Sequence, residues 1–489
     1  MSQGNLIAYA AVFGWPLVAF YLYSRLPLAR ATVWTILAGY LFLPIGVGLN
    51  LPVIPTFNKN TIPALAALAG CVFIARRPMK FFRGIGLAEL LITIIIIGPF
   101  ITSLLNTDPI VIGKEVLPGV GAYDAGSAAM AEFLTLLPFF LARNYLRSSE
   151  DSAEILRVLV MAGLAYSLLM LIEVRMSPQV NRWIYGFSSH SIIGEIRDGG
   201  FRPVVFLRNG LMVAFFAMTA VVASTALWRT GVKILRWPAG PVVAYLGVVL
   251  LLCKTLSALV YGAVLVPLVR WASPRLQLRI ACIFVVIALA YPMLRVAHLV
   301  PAQEIVQVAS SVSEKRAQSM NVRFSWEERL LAHAMERPWF GWGRFGRSRV
   351  YSEETGQDLS ITDGWWIIVL GTFGIAGFIG RFGLLGYSVL RAAKMLKYVQ
   401  SPKEAIWYAT LALLAAINMI DLLPNASVTP WLWLVTGALL GRAEAIYAAA
   451  RQRRAAVSQP GAVLGSHAEA ANSAFRRISA ERVEGPRGR

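Results

Sequence analysis

Charge is what this sequence has least of. Only 15% of its 489 residues are charged against 57% hydrophobic, and acids are the scarcer sign, with 26 Asp and Glu to 46 Lys and Arg. A soluble globular chain carries about 25% charged residues, so this composition excludes that class. Cysteine is nearly absent: Cys71, Cys253 and Cys282 lie in or beside apolar runs without C-x-x-C spacing, which argues against a disulfide framework and a thiolate metal site. The histidines His190, His298, His333 and His467 have no partners at ligand spacing, so no metal is expected. The first apolar run has no basic residue ahead of it and reads as a retained span. No internal repeat is visible.

What the sequence does have is long apolar runs, each near the roughly 20 residues that cross a bilayer as helix. Spans are expected at 6–23, 31–51, 60–75, 85–105, 126–146, 153–174, 203–228, 238–253, 256–271, 278–295, 364–390, 404–420 and 429–448. The fold class is therefore an all-α polytopic membrane protein with 12–13 transmembrane helices. The stretch 238–271 reads either as two short spans or as one span with a re-entrant piece. Basic loops at Arg25–Arg30, Arg76–Arg83, Arg143–Arg147, Arg229–Arg236, Arg270–Arg279 and Arg391–Lys403 fall on one side if the spans alternate. By the positive-inside rule that side is the cytoplasm, so the net charge of +20 marks topology and predicts no nucleic-acid partner.

This divides the chain into spans over 1–294, an outer loop subdomain over 295–362, further spans over 363–448, and a basic tail over 449–489 whose composition predicts disorder. Ser311-Val-Ser-Glu314 and Ser325-Trp-Glu-Glu328 match capping boxes, which predicts helices inside the loop subdomain. Next comes Pro338-Trp-Phe-Gly-Trp-Gly-Arg-Phe-Gly-Arg-Ser-Arg349, which contains a literal G-x-G-x-x-G. A dinucleotide cradle needs a strand before the first glycine and a helix after the last. Here a helix precedes and a polar loop follows, so the motif reads as a turn whose glycines permit positive φ. Arg344, Arg347 and Arg349 beside it could meet an anionic ligand, and Trp339, Phe340, Trp342 and Trp365 either stack on sugar rings or pack at the interface.

A few charges sit where they are expensive. Lys254 lies between two short apolar runs, and Arg208 opens another shortly after Arg197 and Arg202. Snorkelling and anion binding account for Arg208 equally well, whereas the short runs around Lys254 keep its ammonium near the outer interface, within reach of an anionic head group. Arg381 reads as an anchor near one end of its span, and Glu89, Glu132 and Glu173 as partners of nearby bases. Asp363, before Gly364-Trp-Trp366, is either an N-cap or a general base at the start of a span.

Several of these segments together resemble the bacterial O-antigen ligases and polysaccharide polymerases, over roughly residues 170–380. The resemblance rests on Glu173 to Gly186, on Gly200-Phe-Arg-Pro-Val-Val-Phe-Leu-Arg-Asn-Gly-Leu211, on Lys254-Thr255, and on Arg323-Phe-Ser-Trp326 followed by Arg337-Pro-Trp-Phe-Gly-Trp-Gly343. Many members carry a His-Asn pair where this chain has Asp363-Gly364. The resemblance implies a multi-pass enzyme of the bacterial inner membrane with its site facing the periplasm. It would transfer glycan from an undecaprenyl-pyrophosphate donor to an acceptor glycan or lipid, with inversion and without metal or cofactor, in exopolysaccharide or lipopolysaccharide assembly. Other polysaccharide-assembly proteins are candidate partners.

On that reading Asp363, or else Glu328, takes the acceptor proton; Arg323 and Lys254, with Arg202 and Arg208, hold the pyrophosphate; and Arg344, Arg347, Trp342 and Trp365 contact substrate. Two alternatives stand beside it. A transporter or flippase of lipid-linked glycans would show repeats and broken helices around a midplane site. A non-catalytic scaffold would tolerate loss of Arg323, Lys254 and Asp363.

Overall fold

The computed structural model describes residues 4–50, 55–188, 191, 193–197, 199–312 and 314–457. Helices α1 (Leu6–Arg25), α2 (Leu28–Phe42), α3 (Thr61–Ala69, continued by a π turn to Ile74), α4 (Leu87–Leu104), α5 (Ala122–Tyr145) and α6 (Ser149–Met176) come first. A short α7 (Val180–Tyr185) precedes α8 (Gly210–Arg229), α9 (Ala239–Leu252), α10 (Leu256–Trp271) and α11 (Pro274–Val296). Then follow α12 (Ala302–Val312), α13 (Glu314–Glu336), α14 (Trp365–Met395), α15 (Pro402–Asp421) and α16 (Pro430–Val457). Among the described residues eight helices are long and apolar enough to cross a bilayer, and α2, α3, α9 and α10 are shorter apolar helices. The chain is an all-α polytopic membrane protein.

Every expected span coincides with a helix, but several boundaries move for local reasons. Helix α2 stops at Phe42, well before 51, because Leu43 is extended and Pro44 follows; the chain then pairs Gly48–Leu49 with Phe57–Asn58. Helix α8 begins at Gly210 and not 203, since Asn209 caps it by accepting from the Met212 amide at 3.1 Å. The amides of Val204 and Val205 go instead to the Glu173 carboxylate, both at 2.7 Å, and Val180 N joins them at 2.9 Å. Glu173 thus serves backbone amides and not a basic partner. The 238–271 stretch is two helices joined through Lys254, whose φ is +49°. Helix α16 runs to Val457, past the expected boundary at 448, and 458–489 lie outside the described residues.

Contacts sort the loops into two ends. At one end lie three small hairpins, the others pairing Ile110–Ile112 with Glu115–Leu117 and Ile196–Arg197 with Gly200–Phe201. Lys59 Nζ reaches Phe206 O at 2.9 Å there, and Arg337 meets Asp108 at 3.1 Å. The opposite end holds the basic loops, tied by Arg143 to Glu89 (2.6 Å) and to Glu444 (2.5 Å), and by the Arg30–Glu154 and Arg442–Glu404 pairs. Well inside the bundle, Arg381 meets Glu132 at 2.6 Å and lies over Phe373. Arg381 is only 2% exposed, so it is a buried ion-pair member and not an anchor at a helix end.

The loop subdomain contains α12 and α13 as expected, with one correction. Ser325 and Glu328 lie inside α13, and Ser325 Oγ donates to Val322 O at 2.9 Å, so that box caps no helix start. Ser313 of the other box lies outside the described residues.

Candidate active site at a folded-back helix

The glycine stretch and α14 form one unit. Gly374 breaks α14 with φ +66° and ψ −166°, leaving an arm 365–373 and an arm 375–395. The arms fold back on each other: the rings of Trp365 and Phe382 have centroids 5.0 Å apart, whereas a straight helix would separate those positions by about 25 Å. Such a break leaves carbonyls and amides without helical partners, which costs several kcal/mol per group in a bilayer. The turn after α13 supplies them. Trp342 N and Gly343 N donate to Gly371 O and Thr372 O, both at 2.9 Å, while Pro338 O and Trp339 O accept from Ile375 N (2.7 Å) and Ala376 N (3.1 Å).

The glycines make this approach possible. Gly341, Gly343 and Gly346 all have positive φ, as the turn reading expected. A Cβ on Gly341 would stand 2.6 Å from Thr372 C, and one on Gly374 2.4 Å from Trp339 C. Thr102 Oγ1 and Asn106 Nδ2 of the α4 end hold Phe340 O and Gly341 O at 2.7 and 3.0 Å. Arg347 is 1% exposed and donates to Trp342 O, Asp108 O and Pro118 O at 3.1, 2.7 and 3.1 Å. Trp342 stacks on His333 at 4.4 Å and donates to its carbonyl at 2.7 Å. Arg347 and Trp342, expected to touch substrate, brace the turn through these contacts, and with His333 and Arg349 they also line an open cavity of about 660 Å³. Arg344 lies over its neighbour Phe345, 5.4 Å from the ring.

Folding α14 back places the start of its first arm in the interior, beside the end of α15. Trp365 N donates to Leu422 O at 3.0 Å, and a Cβ on Gly364 would stand 2.2 Å from Leu423 O. Gly364 is the N-cap residue, so Asp363 is not the helix cap. Its carboxylate instead meets Arg323 of α13, Nε to Oδ2 2.9 Å, both side chains partly exposed. The pair lines a cavity of about 300 Å³ walled by Met320, Phe324, Ile361, Ile367, Ile420 and Leu423, with Tyr261 of α10 and Tyr291 of α11 adding hydroxyls.

One turn along α13 from Arg323, Glu327 lines the same cavity, and sequence reasoning missed it. Tyr291 OH and Trp366 Nε1 donate to its two oxygens at 3.0 and 3.2 Å, and Arg295 Nε lies at 3.4 Å. Burial pushes the Glu327 carboxyl above its usual range, and Arg295 draws it partly back. The signal was present in the i, i+4 spacing from Arg323, but without the fold-back nothing set Glu327 apart from Glu328. Glu328 faces away: it is 63% exposed and sits 3.8 Å from His298.

Of the residues expected at the site, the cavity brings together Arg323 and Asp363. Lys254 lies against the 196–201 hairpin, Nζ 3.2 Å from Arg197 O, and Arg202 pairs with Glu195 at 2.8 Å. Arg208 is exposed at the same end. None of these three lines the cavity. Trp365 packs on Phe382, and it is the buried Trp366 whose indole reaches Glu327. Among the described residues no three His, Cys, Asp or Glu side chains are grouped to hold a metal ion. No family model matches the chain, and no curated protein matches it.

Proposed function

We propose that the chain is a glycosyltransferase of the lipid-linked-glycan polymerase or ligase type, with the hairpin end facing the periplasm of a bacterial inner membrane. The observation that carries this reading is the Arg323–Asp363 pair lining an apolar-walled cavity inside the bundle. A polyprenyl pyrophosphate needs both parts, a cation for the phosphates and apolar surface for the lipid. The basic loops gathered at the other end support the orientation.

In this mechanism the donor pyrophosphate takes Arg323 as its partner, which frees Asp363. The acceptor hydroxyl attacks the anomeric carbon and gives its proton to Asp363. The new glycosidic bond forms as the bond to the pyrophosphate oxygen breaks, with inversion, and Arg323 carries the charge of the departing lipid pyrophosphate. Glu327, bonded to Tyr291 and Trp366, fixes the α13 face that presents Arg323.

The test is product formation in proteoliposomes supplied with undecaprenyl-pyrophosphate oligosaccharide. Wild type should lengthen or transfer the glycan, and Asp363→Asn or Arg323→Ala should slow it by roughly 10²-fold or more. A wild type without product, or variants at the wild-type rate, overturns the reading.

The break at Gly374 favours a second reading, a flippase or transporter, because discontinuous helices shape transport sites. Against it, the turn 338–343 already occupies the broken backbone groups. Translocation of the lipid-linked glycan without lengthening would select it.

A further inference from the structure

Two tyrosines on separate helices line the cavity of Arg323 and Asp363, Tyr261 of α10 and Tyr291 of α11, and each is tied to a carboxyl group. The Tyr291 hydroxyl donates to Glu327 Oε2 at 3.0 Å. The Tyr261 hydroxyl hydrogen-bonds Asp421, the last residue of α15, which stands behind the cavity wall. Asp421 is 7% exposed and accepts from Asn425 Nδ2 at 3.0 Å, and among the described residues no cation pairs with it. A carboxyl group at the end of a spanning helix with no cation beside it is costly, and such a group marks function more often than packing. The glycosyltransfer described above makes no use of it.

A phenol has one proton to give, and its oxygen accepts through the remaining lone pairs. With both protons committed to carboxyl groups, Tyr261 and Tyr291 have only acceptor capacity left for a ligand. Arg323 is the converse, a fork of donors without an acceptor. The cavity is therefore divided by hydrogen-bond type. An ionised pyrophosphate diester offers acceptors alone, which suit Arg323 and are repelled by the phenol oxygens, whereas the hydroxyl groups of a sugar ring can donate to them. We propose that Tyr261 and Tyr291 bind hydroxyl groups of the sugar that carries the pyrophosphate, and that Asp421 is a positioning residue that fixes the direction of the Tyr261 hydroxyl. Glu327 does the same for Tyr291. The assignment rests on the lipid-linked-glycan reading and deepens it by naming the groups that tell the donor's sugar from its phosphates.

The experiment is native mass spectrometry of the full chain in nanodiscs, with undecaprenyl pyrophosphate and undecaprenyl-pyrophosphate oligosaccharide in competition. Wild type should retain the glycan-bearing lipid over the bare one. Tyr261→Phe/Tyr291→Phe, which keeps both rings, should lower that preference roughly tenfold, the loss expected for two hydrogen bonds, with retention of the bare lipid unchanged. Asp421→Asn, whose amide can donate to Tyr261 and turn the phenol round, should lower the preference roughly threefold alone and no further in a Tyr261→Phe background. A merely structural Asp421 would weaken both lipids alike, and its loss would add to that of Tyr261→Phe. An unchanged preference in the double tyrosine variant, or additive losses for Asp421→Asn, overturns the proposal. Selective binding by a wild type that forms no product sinks the transferase reading alone, product formation by an unselective wild type sinks the sugar assignment alone, and a wild type that retains neither lipid sinks both.

Discussion

Glu327 and Glu328 are adjacent and identical in type, and the fold gives them opposite conditions. Glu327 is held by Tyr291, Trp366 and Arg295 in an apolar wall, while Glu328 stands in the open near His298. Because burial raises the Glu327 carboxyl above its ordinary value of 4.5, the folded state binds its proton more tightly than the unfolded state does. The sign follows: this group favours folding while protonated, and stability falls as pH rises from about 4.5 toward the raised value. Thermal unfolding in detergent should show that decline in wild type, and Glu327→Gln, which carries no titratable proton, should flatten it. An unchanged slope in the variant would show that other groups set the pH dependence. Two residues of this site were legible in the sequence, Asp363 because it opens an apolar run and Arg323 through the resemblance carried by Arg323-Phe-Ser-Trp326 and the glycine stretch. Glu327 was not, since its role depends on Trp366 arriving from the folded-back arm.

At the scale of elements, the turn 338–343 and the break at Gly374 stabilise each other through four backbone hydrogen bonds. Two glycines in the turn separate strain from collision. Both Gly341 and Gly343 have positive φ, but a Cβ on Gly341 would strike Gly371 O and Gly374 N at 2.7 Å, while on Gly343 its nearest neighbour would be Val120 Cγ2 at 3.6 Å. Gly343→Ala should therefore cost about 1–2 kcal/mol, the price of strain alone. Gly341→Ala should cost more, because the two arms must also move apart, and it should lower activity along with the melting temperature. Differential scanning fluorimetry on the two purified variants makes the comparison, and equal losses would mean that the arms yield freely. The sequence identified the glycines and their positive φ but not their partner. A G-x-G-x-x-G states what its own backbone can do, whereas the matching break lies about thirty residues on, within a run that reads as one continuous span.

Across the whole molecule, the two ends differ in charge and in backbone. The hairpins, the glycine turn and the cavity with Arg323 lie toward one end, and the braced arginines Arg143 and Arg442 at the other. Cysteines introduced at exposed positions should report this directly. Val116→Cys should react with an impermeant maleimide on intact cells, and Lys403→Cys only after the membrane is opened. Labelling of both from the same side would reject the arrangement of spans. Of the native thiols Cys71 and Cys253 are buried, and a Cys282→Ser background removes the half-buried third.

The sequence by itself determined the membrane class, nearly every helix and the segregation of basic loops, because hydrophobic length and Lys/Arg placement are local quantities that the bilayer reads directly. Only the tertiary structure decided that α14 doubles back, that Arg381 pairs with Glu132 in the interior, that Arg347 and Trp342 brace the turn, and that Asp363 meets Arg323 beside Glu327. These depend on which distant backbone and charged groups satisfy one another once water is excluded. That matching of buried polar groups leaves no periodicity in the chain for a reader to find.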